Sequence, residues 1–332
     1  MKQQWKQLAG GLITLLAAAL ALFLVFRGNY QEILENLRQV PLGGVVLLFT
    51  LAALYQAVES AICMVLVRAR LPRFSYWEAV EVTFLGVFGN VATCAAGSIP
   101  MQSYRLHQSG LTVGHGVGMM TMEYVFHKTS ILLYAAVMLL TQGRWLRERC
   151  PGLSGYLLAG YGVCLLIIAV LVLASTQEKV KRLGLRLIGM LPDAPKWEKR
   201  KASWADNLES LYAETQNVLK NRGCCRKILL LNALKLFFLY SAVYLSLRFL
   251  GITALPLGRV QLLAALMLTI SSALPNVAGV GPMEFTFLLL FTPFMTYTQA
   301  SSALILYRTA TYFFPFILSV IVILACRGLR RR

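Results

Sequence analysis

Long apolar runs constrain this chain more than any other feature of its sequence. The hydrocarbon core of a bilayer is ~30 Å thick, and an α-helix needs ~20 apolar residues to cross it. Backbone polar groups find no partners in lipid, so runs of this length form helices. Six runs predict full membrane spans, at about 8–26, 42–67, 118–140, 153–174, 228–250 and 302–326.

Two further apolar runs, at about 76–97 and 258–297, are interrupted by Gly, Asn and Pro. We predict that both are re-entrant broken helices, which enter and leave the membrane on the same side. Hydrophobic residues make up 58% of the 332 positions and charged residues only 14%. This balance predicts an all-α polytopic membrane protein with about eight hydrophobic segments, in which 1–332 form a single integral-membrane domain.

The distribution of positive charge predicts the topology. The net charge of +18 lies mainly in short segments beside the spans, which is typical of cytoplasmic loops, and we expect no nucleic-acid partner. The basic segment 175–227 and both termini should be cytoplasmic. This requires 76–97 to open towards the inside and 258–297 towards the outside. The three arginines in the predicted outer loop 141–152 oppose this assignment.

A short motif occurs once in each broken segment, as AGSIPMQ at 96–102 and AGVGPME at 278–284. Residues 1–150 and 151–332 each contain two spans, a broken element and a third span, so three crossings would invert the second repeat relative to the first. Transporters build substrate sites from such inverted repeats and broken helices. We therefore predict that lipid-binding or gating residues lie at the two turns, unless these residues only shape packed kinks: Gly97, Pro100, Gln102, Pro275, Gly279, Gly281 and Glu284.

Ionisable residues inside apolar spans form a second set of candidates, because each costs at least ~2.5–3.5 kcal/mol to insert. Glu123 and Arg308 occupy nearly matching places in the two repeats. We expect them to form a salt bridge, which either opens and closes with conformation or is a static pair. His127 lies one helical turn after Glu123, as an interior histidine or a proton relay.

Three more charged residues have local explanations. Arg105 follows the first turn motif and adds to the positive charge of the inner side, where it is a further candidate at the inner gate. Lys235 lies near the predicted cytoplasmic end of its span and should extend its ammonium towards water. Glu59 is expected to pair with Arg68 or with a neighbouring helix.

The basic segment 175–227 contains a predicted amphipathic helix. Trp204, Leu208, Leu211, Val218 and Leu219 share its apolar face with Thr215, and the opposite face is polar. Such a helix suits the anionic inner leaflet, which 196–227 would contact. Docking under the helical bundle is the alternative.

These residues resemble a known family. GSIPMQSYRL at 97–106, the helix around Glu123 and LPNVAGVGPMEF at 274–285 are similar to the transmembrane, flippase-like part of lysylphosphatidylglycerol synthases. The resemblance implies a lipid-handling protein of the bacterial cytoplasmic membrane; some relatives move aminoacylated phosphatidylglycerol across the bilayer and protect against cationic peptides. Relatives often have Gly-Glu-Pro followed by Arg, whereas this chain has Ile99 before Pro100 and Gln102 after it, so headgroup preference does not simply carry over.

Three functions are compatible with these features. The first is a flippase that binds a phospholipid, such as lysylphosphatidylglycerol or another modified anionic lipid, and translocates it by alternating access. The second is an accessory membrane protein that binds lipid or a lipid synthase without transport, with a homodimer as a further possibility. The third, a membrane-embedded transferase, has only His127 beside Glu123 as a base. We expect no lysyltransferase domain, no cofactor and no metal site.

Overall fold

The computed structural model describes residues 30–93, 97–191, 195–274 and 281–330, and within these ranges the ordered elements are all helical. The predicted span 8–26 and the motif residues Pro275 and Gly279 lie outside the described residues. In chain order the helices are α1 Tyr30–Arg38, α2 Leu42–Val67, α3 Tyr76–Ala92, α4 Ser98–Gln108, α5 Val113–Arg149, α6 Pro151–Thr176, α7 Glu178–Gly189, α8 Pro195–Leu219, α9 Arg222–Phe249, α10 Leu257–Ala273, α11 Pro282–Phe291, α12 Tyr297–Arg308 and α13 Phe314–Arg330.

Five of the predicted spans are confirmed as helices long and apolar enough to cross a membrane. Four of them are α2, α5, α6 and α9, and the fifth is the continuous helical segment Tyr297–Cys326. This last segment combines α12 and α13 through a π-helical turn at Thr309–Phe313. The chain is therefore a multi-pass membrane protein.

The helix α5 is much longer than the predicted span 118–140. It begins after Thr112, whose hydroxyl accepts a hydrogen bond from the His115 amide, and continues to Arg149. At 1.5 Å per residue its 37 residues measure about 55 Å, which exceeds the thickness of the hydrocarbon core. The polar ends of α5 extend beyond the hydrocarbon core, where water and other side chains can bind their polar groups.

The first interrupted segment forms a helical hairpin from α3 and α4. Ser75 and Glu78 cap the start of α3 reciprocally, and α3 ends at Ala92 before the chain turns into α4. The two helices approach so closely that a Cβ on Gly89 would lie 2.6 Å from the carbonyl oxygen of Gly97. A larger residue at Gly89 would push the two helices apart. This contact explains why the first motif contains Gly97.

The second interrupted segment also divides into two helices, α10 and α11. Gly281 has a φ of +105°, a conformation that glycine adopts without strain, and Pro282 is the first residue of α11. A short 3₁₀ turn at Thr292–Phe294 then leads to α12.

The largest hydrophobic core surrounds α10. Six consecutive residues of this helix, from Leu262 to Met267, are completely buried, so this part of α10 is covered on all its sides. Side chains of α2, α5, α6, α9, α11 and α12 complete the cluster. The second broken element is thereby held in the centre of the described bundle.

The amphipathic helix α8 docks on the bundle, as the second alternative predicted. Its Leu211, Thr215 and Val218 are buried, while Trp204 and Leu219 at the two ends of the apolar face remain exposed. A Cβ on Gly118 of α5 would lie 2.6 Å from the backbone oxygen of Ser210, so the two helices nearly touch. Contact of 196–227 with the anionic leaflet stays a prediction.

Candidate functional site

A cavity of about 350 Å³ lies between the two broken elements. Ser98 and Gln102 reach it from α4, and Met283 reaches it from α11. Its volume is in the range of small-molecule sites, and it has room for about ten waters or one polar headgroup. Hydroxyl, amide and charged side chains line it at the depth of the spans: Tyr55, Gln56, Glu59, Thr83, Asn90, Ser98, Gln102, His127, Tyr307, Arg308, Thr311 and Tyr312.

A buried ion pair lies at one part of the cavity wall. Nε of Arg308 is 2.8 Å from Oε1 of Glu284, and these residues are only 4% and 6% exposed. The N–H does not point at the carboxylate oxygen, so the contact is an ion pair without an aligned hydrogen bond. Arg308 also stacks on the ring of Tyr312, with its Cζ 4.3 Å from the ring centroid.

Local backbone geometry positions both members of this pair. Oε2 of Glu284 accepts a hydrogen bond of 2.6 Å from the amide of Gly281, which fixes the carboxylate at the first turn of α11. Arg308 is the last residue of α12 and directly precedes the π turn at Thr309–Phe313. Such turns occur frequently at functional sites because they redirect neighbouring side chains.

The expected pair of Glu123 with Arg308 is wrong. Arg308 pairs with Glu284, because the start of α11 packs beside the end of α12. Glu123 belongs instead to a second charged group, in which it interacts electrostatically with Glu59 and Lys235. Matching positions in the two predicted repeats did not place these side chains together.

The second charged group joins three of the long helices. Nζ of Lys235 on α9 donates to the carboxylate of Glu59 on α2, and Glu123 on α5 is buried beside them. Lys235 is completely buried, so the expectation that it extends towards water is wrong. The expected neighbouring-helix partner of Glu59 is thus Lys235. Only Glu59 of the three borders the cavity, where 24% of its side chain is exposed.

His127 borders the cavity next to this group. Its ring adjoins Asn232, which is 1% exposed. Neither Nδ1 of His127 nor Oδ1 of Asn232 has an aligned hydrogen bond to another described residue. Two buried polar atoms with unmet hydrogen-bonding capacity therefore meet at the cavity wall.

The predicted residues of the first motif divide between the cavity and the packing of the hairpin. Gln102 lines the cavity, where it packs closely on Gly86. Gly97 is buried against Gly89, and Pro100 is exposed in the first turn of α4. These two shape the hairpin and are not among the cavity-lining residues.

Arg105 lies at the far end of α4 and does not line the cavity. Its Nε is 2.7 Å from Oε2 of Glu81, its Nη1 donates to Ser109 at 2.6 Å, and Glu78 lies 3.9 Å away. These contacts tie the end of α4 to the start of α3. The arginine stabilises the hairpin, so its predicted role in the inner gate has no support from its position.

Several cavity residues were not singled out in the sequence. Tyr55 and Gln56 on α2, Asn90 on α3 and Tyr307 on α12 all border the cavity. Polar residues within apolar runs were the available signal, since Gln56 and Asn90 are the kind of side chain that a span carries only when it faces protein or water. Tyrosines gave no such signal, because they are common in membrane helices.

The chain matches a known protein family. A family model described as the lysylphosphatidylglycerol synthase TM region matches residues 8–319, a range that contains both broken elements and the whole cavity. No curated protein matches the chain.

Proposed function

The chain belongs to the lysylphosphatidylglycerol synthase transmembrane family, and on this premise we propose that it binds a phospholipid headgroup in the central cavity and translocates the lipid by alternating access. The observation that carries the proposal is the cavity itself, which carries polar and charged side chains among its apolar ones, lies at the depth of the spans and is bounded by both broken elements. Polar surface at this depth is costly unless it faces protein, water or a polar ligand.

Arg308 is the residue that suits an anionic headgroup. Its guanidinium borders the cavity and presents planar donors that match phosphate oxygens. In this conformation Glu284 forms an ion pair with Arg308, and the contact is not aligned as a hydrogen bond. A phosphate entering the cavity would compete with Glu284 for Arg308 and would loosen the start of α11.

Glu59 gives the site a negative charge. Its partly exposed carboxylate would attract the amine of an aminoacylated lipid, while Arg308 would hold the phosphate. A modified anionic lipid such as lysylphosphatidylglycerol is therefore the substrate class that we propose, in the bacterial cytoplasmic membrane. The repeats 1–150 and 151–332 would open the cavity alternately to the two sides.

The test is exchange of labelled phospholipid between leaflets of proteoliposomes that contain the purified chain. We expect exchange faster than in empty vesicles for at least one of phosphatidylglycerol and its lysyl ester. Arg308→Gln should reduce it at least about tenfold, because a charge-assisted contact to phosphate is worth ~1.5–3 kcal/mol. Arg144→Gln is the matched control, since Arg144 is exposed and pairs along its own helix with Glu148.

Two results would count against the proposal. Exchange at the rate of empty vesicles for both lipids would exclude transport, and retained lipid binding under those conditions would indicate the non-transporting accessory protein. Equal exchange in Arg308→Gln and Arg144→Gln would exclude Arg308 as the headgroup contact.

A further inference from the structure

With both of its carboxyl groups ionised, the charged group at Glu59 carries one more negative charge than positive. Glu59 and Glu123 are both carboxylates, and Lys235 is the ammonium that faces them. All three lie within helices that span the membrane. An uncompensated charge at this depth is costly, so such a group gains from binding one further positive charge.

Among the residues that the structure describes, the surrounding helices do not supply that charge. From α2, Tyr55 and Cys63 face the group, and both are neutral when protonated. From α5, Lys128 is directed elsewhere: its Nζ donates to Ser272 at 2.8 Å and lies 5.3 Å from the ring centroid of Tyr124. Arg308 is already balanced by Glu284.

His127 and Asn232 add a polar pair beside this group, and the pair fixes where the imidazole hydrogen must lie. The amide nitrogen of Asn232 donates to the Ile228 carbonyl, so its Oδ1 is the atom left to accept. Nδ1 of His127 can satisfy that oxygen only when it carries a hydrogen. The ring borders the cavity, so protons can reach it and Glu59 from water there.

We propose that Glu59, Glu123 and Lys235, with His127 beside them, form a proton-binding site that is loaded through the cavity. One proton adds to a carboxylate oxygen, the surplus negative charge disappears, and no other bond in the protein changes. The proton comes from water on the side to which the cavity is open and returns to water on the other side.

This site would couple proton movement to lipid movement, a consequence that rests on the proposed function. Glu59 is both a member of the charged group and part of the cavity wall that would face the headgroup amine. Protonation and amine binding would each neutralise the same surplus charge. The proton and the amine should therefore exclude each other. Movement of the aminoacylated lipid in one direction would be coupled to movement of a proton in the other.

Infrared difference spectroscopy of the purified chain tests the site without requiring transport. We expect a protonated-carboxyl stretching band to appear between about pH 8 and pH 5, above the range in which exposed carboxylates titrate. The band should disappear in Glu59→Gln or Glu123→Gln. It should persist in Glu148→Gln, whose carboxylate is exposed and pairs with Arg144.

The wild-type spectrum alone can overturn the proposal, so the test does not depend on whether a variant folds. Absence of the band in the wild-type chain excludes a carboxyl that binds a proton in this range. A band that is unchanged in both Glu59→Gln and Glu123→Gln assigns the proton to another residue and also overturns the site.

Coupling is tested separately in proteoliposomes with a clamped membrane potential. With one proton exchanged per lipid, a gradient of about one pH unit should shift the steady-state leaflet ratio of labelled lysyl lipid by up to about tenfold. A leaflet ratio that does not change with the pH gradient in the wild-type chain would overturn the coupling. Absence of any exchange would reject the proposed function, whereas the infrared result for the proton site would still stand.

Discussion

Glu284 holds Arg308 with one carboxylate oxygen and the amide of Gly281 with the other, at 2.8 Å and 2.6 Å. The same side chain thus terminates the break in the second element and neutralises an arginine that borders the cavity. If Arg308 changed its partner, the first turn of α11 would lose this contact with α12. This relationship connects headgroup binding to movement of a broken helix.

Glu284→Gln isolates the charge of this contact. The amide oxygen of glutamine can still accept from Gly281, as glutamine does in capping boxes, but Arg308 loses its counter-charge. Loss of one partner of a buried pair costs about 3–5 kcal/mol, so we expect a clearly lower melting temperature in detergent.

The double variant Glu284→Gln with Arg308→Gln should recover much of this loss, because no buried charge is then left alone. The coupling energy follows from the double-mutant cycle of melting data. Additive losses in the two single variants would contradict an energetic link between the residues.

Gly89→Ala should disrupt the first hairpin. The new Cβ would lie 2.6 Å from the backbone oxygen of Gly97, so α3 and α4 must separate. Overpacking of this kind costs about 1–3 kcal/mol, and thermal stability should fall accordingly. Gly162→Ala on α6 is the control, since nothing lies within 4 Å of its Cβ position. Equal stability of the two variants would show that the hairpin tolerates a wider separation.

Glu214→Gln should weaken the docking of α8. The Glu214 carboxylate is completely buried, with Nη2 of Arg70 at 2.9 Å and Nδ1 of His115 at 2.6 Å from Oε1. We expect a loss of about 1–3 kcal/mol, since Arg70 is partly exposed to solvent, and faster amide hydrogen exchange along 204–219. Glu209→Gln changes an exposed carboxylate on the same helix and should leave exchange unaltered. Similar exchange in both variants would rule out the carboxylate as an anchor.

Cysteine labelling in whole cells tests the proposed inverted topology. In a background without the native cysteines, a membrane-impermeant maleimide should label Gly152→Cys and Thr253→Cys from outside. Arg73→Cys and Lys220→Cys should react only after the membrane is opened. All four positions are exposed in the structure. Labelling of Arg73→Cys and Thr253→Cys from the same side would refute opposite openings of the two broken elements.

The sequence determined the membrane class, the positions of the described spans and the interruption of two further segments. These features are local: a run of apolar residues must form a helix in lipid wherever it packs, and a Gly-Pro turn interrupts it wherever it occurs. The close packing of Gly89 on Gly97 likewise begins with residues near each other in the chain.

Only the tertiary structure decided which charges meet. Glu59 and Lys235 are separated by 176 residues, and Arg70 and Glu214 by 144, so no local spacing relates them. Glu214 even lies outside the apolar face predicted for α8, yet it is fully buried, where it pairs with Arg70 from the loop after α2 and with His115 from α5. Charge partners depend on how helices cross, and that depends on shape complementarity along their whole length, which no single segment of sequence contains.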